Sequence, residues 1–396
     1  MSTVMNLGKN TPPASTSAVV LALGFRLFYL LAGAYATVSV LLWSAQFAGW
    51  LPSPALLQGP LWHAHEMLFG YTFAVIAGFL FTAVRNWAGR PTPTGTALAV
   101  LGVLWLTGRV LALTPWRDLG AVTDTLFALG VAAGIARPLL KSGNKRNYFF
   151  IALVLTIGAA NLAFYAALAG WIAFAPVRAL TLAADIVLLI MVIMAGRVVP
   201  MFTNNAVPGA GAHRVQWLEY VALGSVLLLI VADAADLTPW AGVIAGIAAL
   251  AHAARLALWS PLKTRRDPLL WILHASYAWL VVHLALRAGA AFDMVTGSIA
   301  IHALTVGGIG GLTLGMMTRS ALGHSGRTLR SGPAETASYT LIQLAAIARV
   351  LVPLAVPAAY LTAITAAGVL WFAAFAVFTV AYWPILTRPR VDGQAG

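Results

Sequence analysis

Leu61-Trp62-His63-Ala64-His65-Glu66-Met67-Leu68-Phe69-Gly70 opens an apolar run that continues through Val75 and Phe81 to Val84. About 20 apolar residues are what a helix needs to cross the hydrocarbon of a bilayer. Two imidazoles and a carboxylate stand within four residues at the edge of this run. Ionisable groups at such a depth are costly and mark function by default, and neutral imidazole is the commonest metal ligand in proteins. The stretch reads as a membrane helix that carries half of a metal or haem site. The other half has to come from elsewhere in the chain.

Composition agrees with that reading. The 396 residues are 61% hydrophobic and only 9% charged, against about 25% charged in a soluble domain. So few charges cannot cover a water-exposed surface, and the chain reads as an all-α, polytopic integral membrane protein embedded in the lipid bilayer. The formal charge of +13 would suggest nucleic acid in a soluble protein. Here the basic residues fall in loops between apolar spans, so no nucleic-acid partner is expected. The first apolar run follows a Thr/Pro/Ser-containing tail and reads as a true first span, not a cleavable signal. The chain has no cysteine. That excludes disulfides, iron–sulfur clusters, cysteine zinc sites and covalent haem attachment. Any haem is then held non-covalently by side chains such as His, and any copper by His or Met.

Apolar runs occupy residues 22–46, 61–84, 96–114, 119–140, 148–171, 178–201, 215–236, 239–259, 269–290, 295–318, 337–357 and 359–384. They predict about twelve transmembrane helices in one domain, 22–386, between an N-terminal tail (1–21) and a C-terminal tail (387–396). Pro52 and Pro54 break the first connection and Pro91 and Pro93 the second, while Pro60 suits a helix start. No internal repeat is evident. The N-terminal side of the bilayer collects 18 of the 24 Lys and Arg residues, from Lys9 through Arg85, Arg90, Arg146 and Arg266 to Arg388 and Arg390. Positive-inside places both termini in the cytoplasm. Arg26 is close enough to that side to snorkel back. Arg349 lies within a span, and Arg109, Arg117, Arg178 and Arg287 lie near the opposite side.

The eight histidines then sort by depth. His63, His65, His283 and His302 fall in the outer half, with His302 about 10 Å from the outer face at 1.5 Å per residue. His252 and His274 lie nearer the basic side. His324 falls in the connection after the tenth span, and His213 in a basic loop as a solvated residue. His63 and His65 point roughly 200° apart on a regular helix. They serve one metal only if the first turn is unwound; otherwise one is a ligand and the other pairs elsewhere. Glu66 can orient a ligand imidazole or carry protons, so His65/Glu66 is the candidate acid–base pair. The plainer alternative is that these residues cap the helix and bind interfacial water. Gly307, Gly311 and Gly315 form a small-residue stripe that reads first as close helix packing. Arg109 and Arg178 are candidates to receive haem propionates through the guanidinium fork. On the residues alone, His274 and His283 are about equal as buried, hydrogen-bonded histidines.

Several motifs resemble one known family. Phe25-Arg26-Leu27-Phe28-Tyr29, Trp62-His63-Ala64-His65-Glu66-Met67-Leu68-Phe69-Gly70 and Gly78-Phe79-Leu80-Phe81-Thr82-Ala83-Val84 look like the NnrS family. So do Gly196-Arg197-Val198-Val199-Pro200-Met201-Phe202-Thr203, Leu273-His274 through Trp279, His302-Ala303-Leu304-Thr305-Val306-Gly307 and Met316-Met317-Thr318-Arg319 through Arg327. The similarity spans nearly the whole chain. Arg85 departs from it, where a proline would be expected before Asn86-Trp87. The resemblance implies b-type haem and copper as cofactors and a role in nitric oxide metabolism, denitrification and protection from nitrosative stress. It points to His63, His65, His274, His302 and His324 as the matched histidines, and to His274 over His283 as a ligand.

These readings converge on a protein that binds, senses or converts nitric oxide or a related species at a His-held metal site, with an electron donor as a possible partner. A transporter or haem-handling protein, using histidines and Asp185 as a pathway, is the alternative from another class. Broken helices and repeated halves would favour it.

Overall fold

The computed structural model describes residues 16–52 and 59–394. Lys9, Pro54 and the outer parts of the two tails, 1–15 and 395–396, lie outside the described residues. Among those described, secondary structure is entirely helical. Eleven helices are long and apolar enough to cross a membrane: α1 (Gly24–Phe47), α2 (Pro60–Ala88), α4 (Arg117–Ser142), α5 (Lys145–Leu168), α6 (Pro176–Ala206), α7 (Gln216–Ala234), α8 (Thr238–Ala257), α9 (Pro268–Ala290), α10 (Gly297–His324), α11 (Pro333–Ala355) and α12 (Pro357–Thr387). A shorter apolar helix, α3 (Gly95–Leu111), occupies the remaining expected position with 17 residues. Each of the twelve apolar runs is therefore a helix, and the chain is a multi-pass membrane protein. The outermost tail segments deviate slightly from expectation. Thr16–Val20 is a short helix, and α12 ends at Thr387, one residue beyond the expected boundary.

Local sequence explains where these helices begin. Pro60, Pro176, Pro268, Pro333 and Pro357 sit in the first turn of α2, α6, α9, α11 and α12. There the missing amide hydrogen has no helical partner to lose. Gly89 closes α2 in the left-handed conformation (φ 58°), which costs glycine little. Helices adjacent in sequence pack in pairs, and α12 returns against α1, so the bundle closes on itself. The central member is α2, whose apolar window is 89% buried, against 33% for α7 at the periphery. Gly307, Gly311 and Gly315 lie under Trp279, Ser276 and Ile272 of α9. The stripe lets α9 and α10 approach closely, as expected of small residues in a membrane.

Regular α-helix is interrupted at three places. α2 is π-helical over Glu66–Thr72, α10 over Ala303–Gly310 and α11 over Ile347–Leu351. Such segments are rare and concentrate at functional sites. Here they follow His65, follow His302 and contain Arg349, respectively.

Two expectations are corrected in the bundle. Arg26 does not snorkel: it is fully buried, and its Nη1 donates to the carbonyls of Ile385, Leu386 and Arg388 at 3.3, 3.1 and 2.9 Å. It thereby caps the end of α12, where carbonyls lack helical partners and a cation is favoured. His324 is not in a connection but is the last residue of α10, its ring tilted 41° to that of Phe25 at 5.7 Å.

Candidate functional site

The three π segments border one cavity of about 600 Å³ near the N-terminal ends of α2 and α10, lined mostly by apolar side chains. This volume falls within the usual range for a cofactor or drug-sized ligand. His63 enters from α2 and His302 from α10. Their rings are nearly parallel, 8° apart in plane, with centroids separated by 6.4 Å. Trp43 of α1 stacks on the far side of His63 at 5.0 Å and 11°. His63 Nδ1 is buried without a hydrogen-bond partner. His302 Nδ1 lies 2.6 Å from the Ser298 carbonyl oxygen. A carbonyl can only accept, so Nδ1 carries the proton and Nε2 holds the lone pair, the arrangement that presents Nε2 to a metal.

His283 of α9 also lines the cavity. Its Nδ1 donates to the Ala300 carbonyl at 2.8 Å, and its Nε2 is buried without a partner. Arg349 of α11 and Arg287 of α9 complete the charged lining. Arg287 is held by Asp185 of α6 and Asp233 of α7. Arg349 Nη2 donates to Ser298 Oγ at 3.0 Å and to His302 Nε2 at 3.4 Å.

His65 turns the other way, as the 200° between the two residues requires. It is fully buried in a second constellation that excludes the cavity. Its Nδ1 is 2.8 Å from Glu66 Oε1 and its Nε2 is 2.8 Å from Asn161 Oδ1. The Asn161 amide nitrogen donates to Asp124 Oδ2 at 3.2 Å, as does the Tyr165 hydroxyl at 3.3 Å. Arg109 bridges Glu66 at 2.8 Å and Asp124 at 2.5 Å, and Tyr35 donates to Glu66. Both nitrogens of His65 are thus engaged by side-chain oxygens. Arg109 stands between the two buried carboxylates, Glu66 and Asp124. The small Gly70, within the π segment, leaves room for it. A Cβ there would stand 2.9 Å from Arg109 Nη1 and 3.1 Å from Glu66 Oε2.

The other expected site residues are dispersed. His274 of α9 is buried away from the cavity, with Nε2 2.9 Å from Thr203 Oγ1 and Nδ1 unpartnered. Arg109 belongs to the His65 cluster. Arg178 donates to the Asp233 and Ala234 carbonyls at 3.2 and 3.0 Å, capping α7. His324 lies at the opposite end of α10 from His302. His252 is fully buried, its Nδ1 2.6 Å from the Tyr277 hydroxyl. The exposed His213 is a loop residue, as expected. No group of three or more His, Cys, Asp or Glu able to hold a metal ion occurs among the described residues. Of the expected ligands, the fold brings only His63 and His302 together in the cavity. Two lining residues outside the expected ligand set join them: Arg349, and His283, which sequence depth already grouped with His63 and His302.

A family model described as NnrS protein matches residues 19–390. The chain belongs to the NnrS family. No curated protein gives a significant match. Membership in NnrS, with the multi-pass fold, suggests a nitric-oxide-related membrane protein. The match covers all twelve helices, including the ends of α2 and α10 that form the cavity.

Proposed function

We propose that this NnrS protein holds a b-type haem non-covalently between His63 and His302, and uses it to bind or convert nitric oxide or a related species. Such activity would protect against nitrosative stress. The carrying observation is the pair of near-parallel imidazoles, 6.4 Å apart by ring centroids, across an apolar cavity of about 600 Å³. Both imidazoles border the cavity and are the residues that would hold the group. The donor chemistry also fits: His63 has an unpartnered buried nitrogen and His302 is locked in the tautomer that offers Nε2. When bound, haem iron supplies a position for a diatomic ligand and a one-electron redox couple.

The chain's own residues divide the work. Ser298 orients His302 through its carbonyl. Among the described residues no hydrogen bond reaches the His63 ring, which is held by stacking on Trp43. His63 is therefore the less firmly oriented of the two imidazoles. The apolar lining excludes water around both. For copper, expected from the family resemblance, no group of three His, Cys, Asp or Glu gathers among the described residues. Positive-inside orients the protein with both termini in the cytoplasm, since 17 of its described basic residues lie on the terminal side of the bundle. This places the cavity towards the outer leaflet of the inner membrane.

The test is an oxidised-versus-reduced absorption spectrum of detergent-purified protein with iron and copper analysis, followed by titration with NO. A b-type spectrum that shifts on adding NO is expected. A colourless, iron-free protein after expression with ample haem would overturn the proposal and leave the transport alternative.

A further inference from the structure

Arg349 stands apart from the other buried arginines at this cavity; Arg319 also has no ion pair, but it lies 4.0 Å over the Phe202 ring and does not line the cavity. The chain has eleven acidic residues, and all lie among the described residues. Arg109, Arg255 and Arg287 each pair with at least one of them, and Arg26 has three carbonyls. Arg349 pairs with no carboxylate, although it is only 7% exposed. Its Nη1 is buried without a partner, and its guanidinium carbon lies 5.8 Å from the Tyr360 ring centroid. No lining residue of the cavity is acidic. A guanidinium without a counter-charge inside a membrane protein is costly. The cost is removed if whatever fills the cavity brings the negative charge.

We infer that Arg349 is the carboxylate-binding residue of this cavity, and that it exchanges its bond to His302 for that carboxylate when a ligand enters. Three features support the assignment. The guanidinium fork matches a carboxylate in geometry and charge, and an unpartnered Nη1 borders the site. The rest of the lining is mostly apolar, so the ligand is a largely apolar body with an acidic group. Finally, the only lone pair of His302 accepts from Arg349 Nη2. A metal at Nε2 and this hydrogen bond exclude each other. A carboxylate on the ligand gives Arg349 a partner as it releases the imidazole, so binding and uncapping are coupled. A haem propionate and the carboxylate of a fatty acid share this chemistry. The haem identity rests on the proposed function, whereas the carboxylate site does not.

The test compares acids with their esters on the full-length purified protein. Iron protoporphyrin IX and its dimethyl ester are titrated by absorbance. A long-chain fatty acid and its methyl ester are titrated by fluorescence of the cavity tryptophans, Trp43 and Trp371. The wild type is expected to prefer acid over ester by about ten- to a hundredfold, the range of a charge-assisted hydrogen bond. Arg349→Gln should lose that factor for the acid while binding the porphyrin ester as well as, or better than, wild type, because His302 is no longer capped. Arg349→Lys should keep part of the preference. A misfolded variant would weaken acid and ester alike, and in that case the wild-type preference alone decides. Equal affinity of the wild type for acid and ester in both pairs would overturn the inference, as would an undiminished preference in folded Arg349→Gln. Preference for the fatty acid with no porphyrin binding would uphold the carboxylate site and sink the haem reading. Porphyrin binding without acid preference would do the reverse.

Discussion

His63 and His65 stand two residues apart on one helix and live in opposite chemical environments. His65 is sealed among Glu66, Asn161, Asp124 and Arg109, with both ring nitrogens engaged. His63 faces an apolar cavity with a buried nitrogen that nothing in the described chain satisfies. In a membrane protein both arrangements are costly to build, and they are maintained for different reasons. A saturated cluster fixes geometry: it ties α2, α3, α4 and α5 together. An unsatisfied imidazole beside a cavity reserves capacity for something else to bind. Adjacent histidines therefore do not make a joint site. Their hydrogen-bond partners separate the ligand from the brace.

The largest effect expected from this contrast lies in the sealed cluster. Arg109→Gln leaves Glu66 and Asp124 buried without their guanidinium, and breaking such a pair costs about 3–5 kcal/mol. The variant should show a sharply lower thermal midpoint in detergent, or fail to accumulate. Unchanged stability would mean that the cluster braces nothing. Gly70→Ala is the milder version. Its methyl would press on Arg109, Tyr35 and Glu66, and overpacking of this kind costs about 1–3 kcal/mol. Size-exclusion profiles after graded heating would register it. On the cavity side, His63→Ala and His302→Ala remove groups with few partners. Each should alter the thermal midpoint of ligand-free protein by no more than about 1 kcal/mol equivalent. A loss as large as that of Arg109→Gln would contradict the division between brace and ligand.

The smallest effect lies at the C-terminal tail, distant from both regions. There Asp392 accepts from Arg390 at 2.9 and 2.5 Å, and Arg390 donates to the His324 carbonyl at 2.9 Å. Exposed pairs contribute little. Asp392→Asn should leave the thermal midpoint unchanged and only hasten tryptic cleavage after Arg390.

Much of the fold is legible because the signal is redundant: any span-length apolar run becomes a helix, and prolines mark the starts. The two-residue spacing also separates His63 from His65. It does not say which one faces inward, because that depends on Asn161 and Asp124, about 96 and 59 positions further along the chain and brought near only by packing. The π segments leave no trace in hydrophobic periodicity, since one extra residue per turn in an all-apolar stretch changes nothing countable. Gly70 and the Gly307-Gly308 pair are the nearest hints. Arg349 did carry a signal, as an arginine well inside a span. Arg109 and Arg178 looked better placed for propionates only because their acidic and carbonyl partners are invisible in sequence. His274 and His283 share a helix and differ in which neighbour they meet. Only the tertiary structure places His283 on the cavity.

The central claim is that His63 and His302 hold the ligand while His65 does not. Its most direct test is the reduced absorption spectrum, with haem-to-protein ratio, of His63→Ala, His302→Ala and His65→Gln purified alongside wild type. The account expects the wild-type spectrum to be lost or converted in the first two, and kept in whatever fraction of His65→Gln folds. Wild-type spectra in both His63→Ala and His302→Ala, with haem absent from folded His65→Gln, would contradict it.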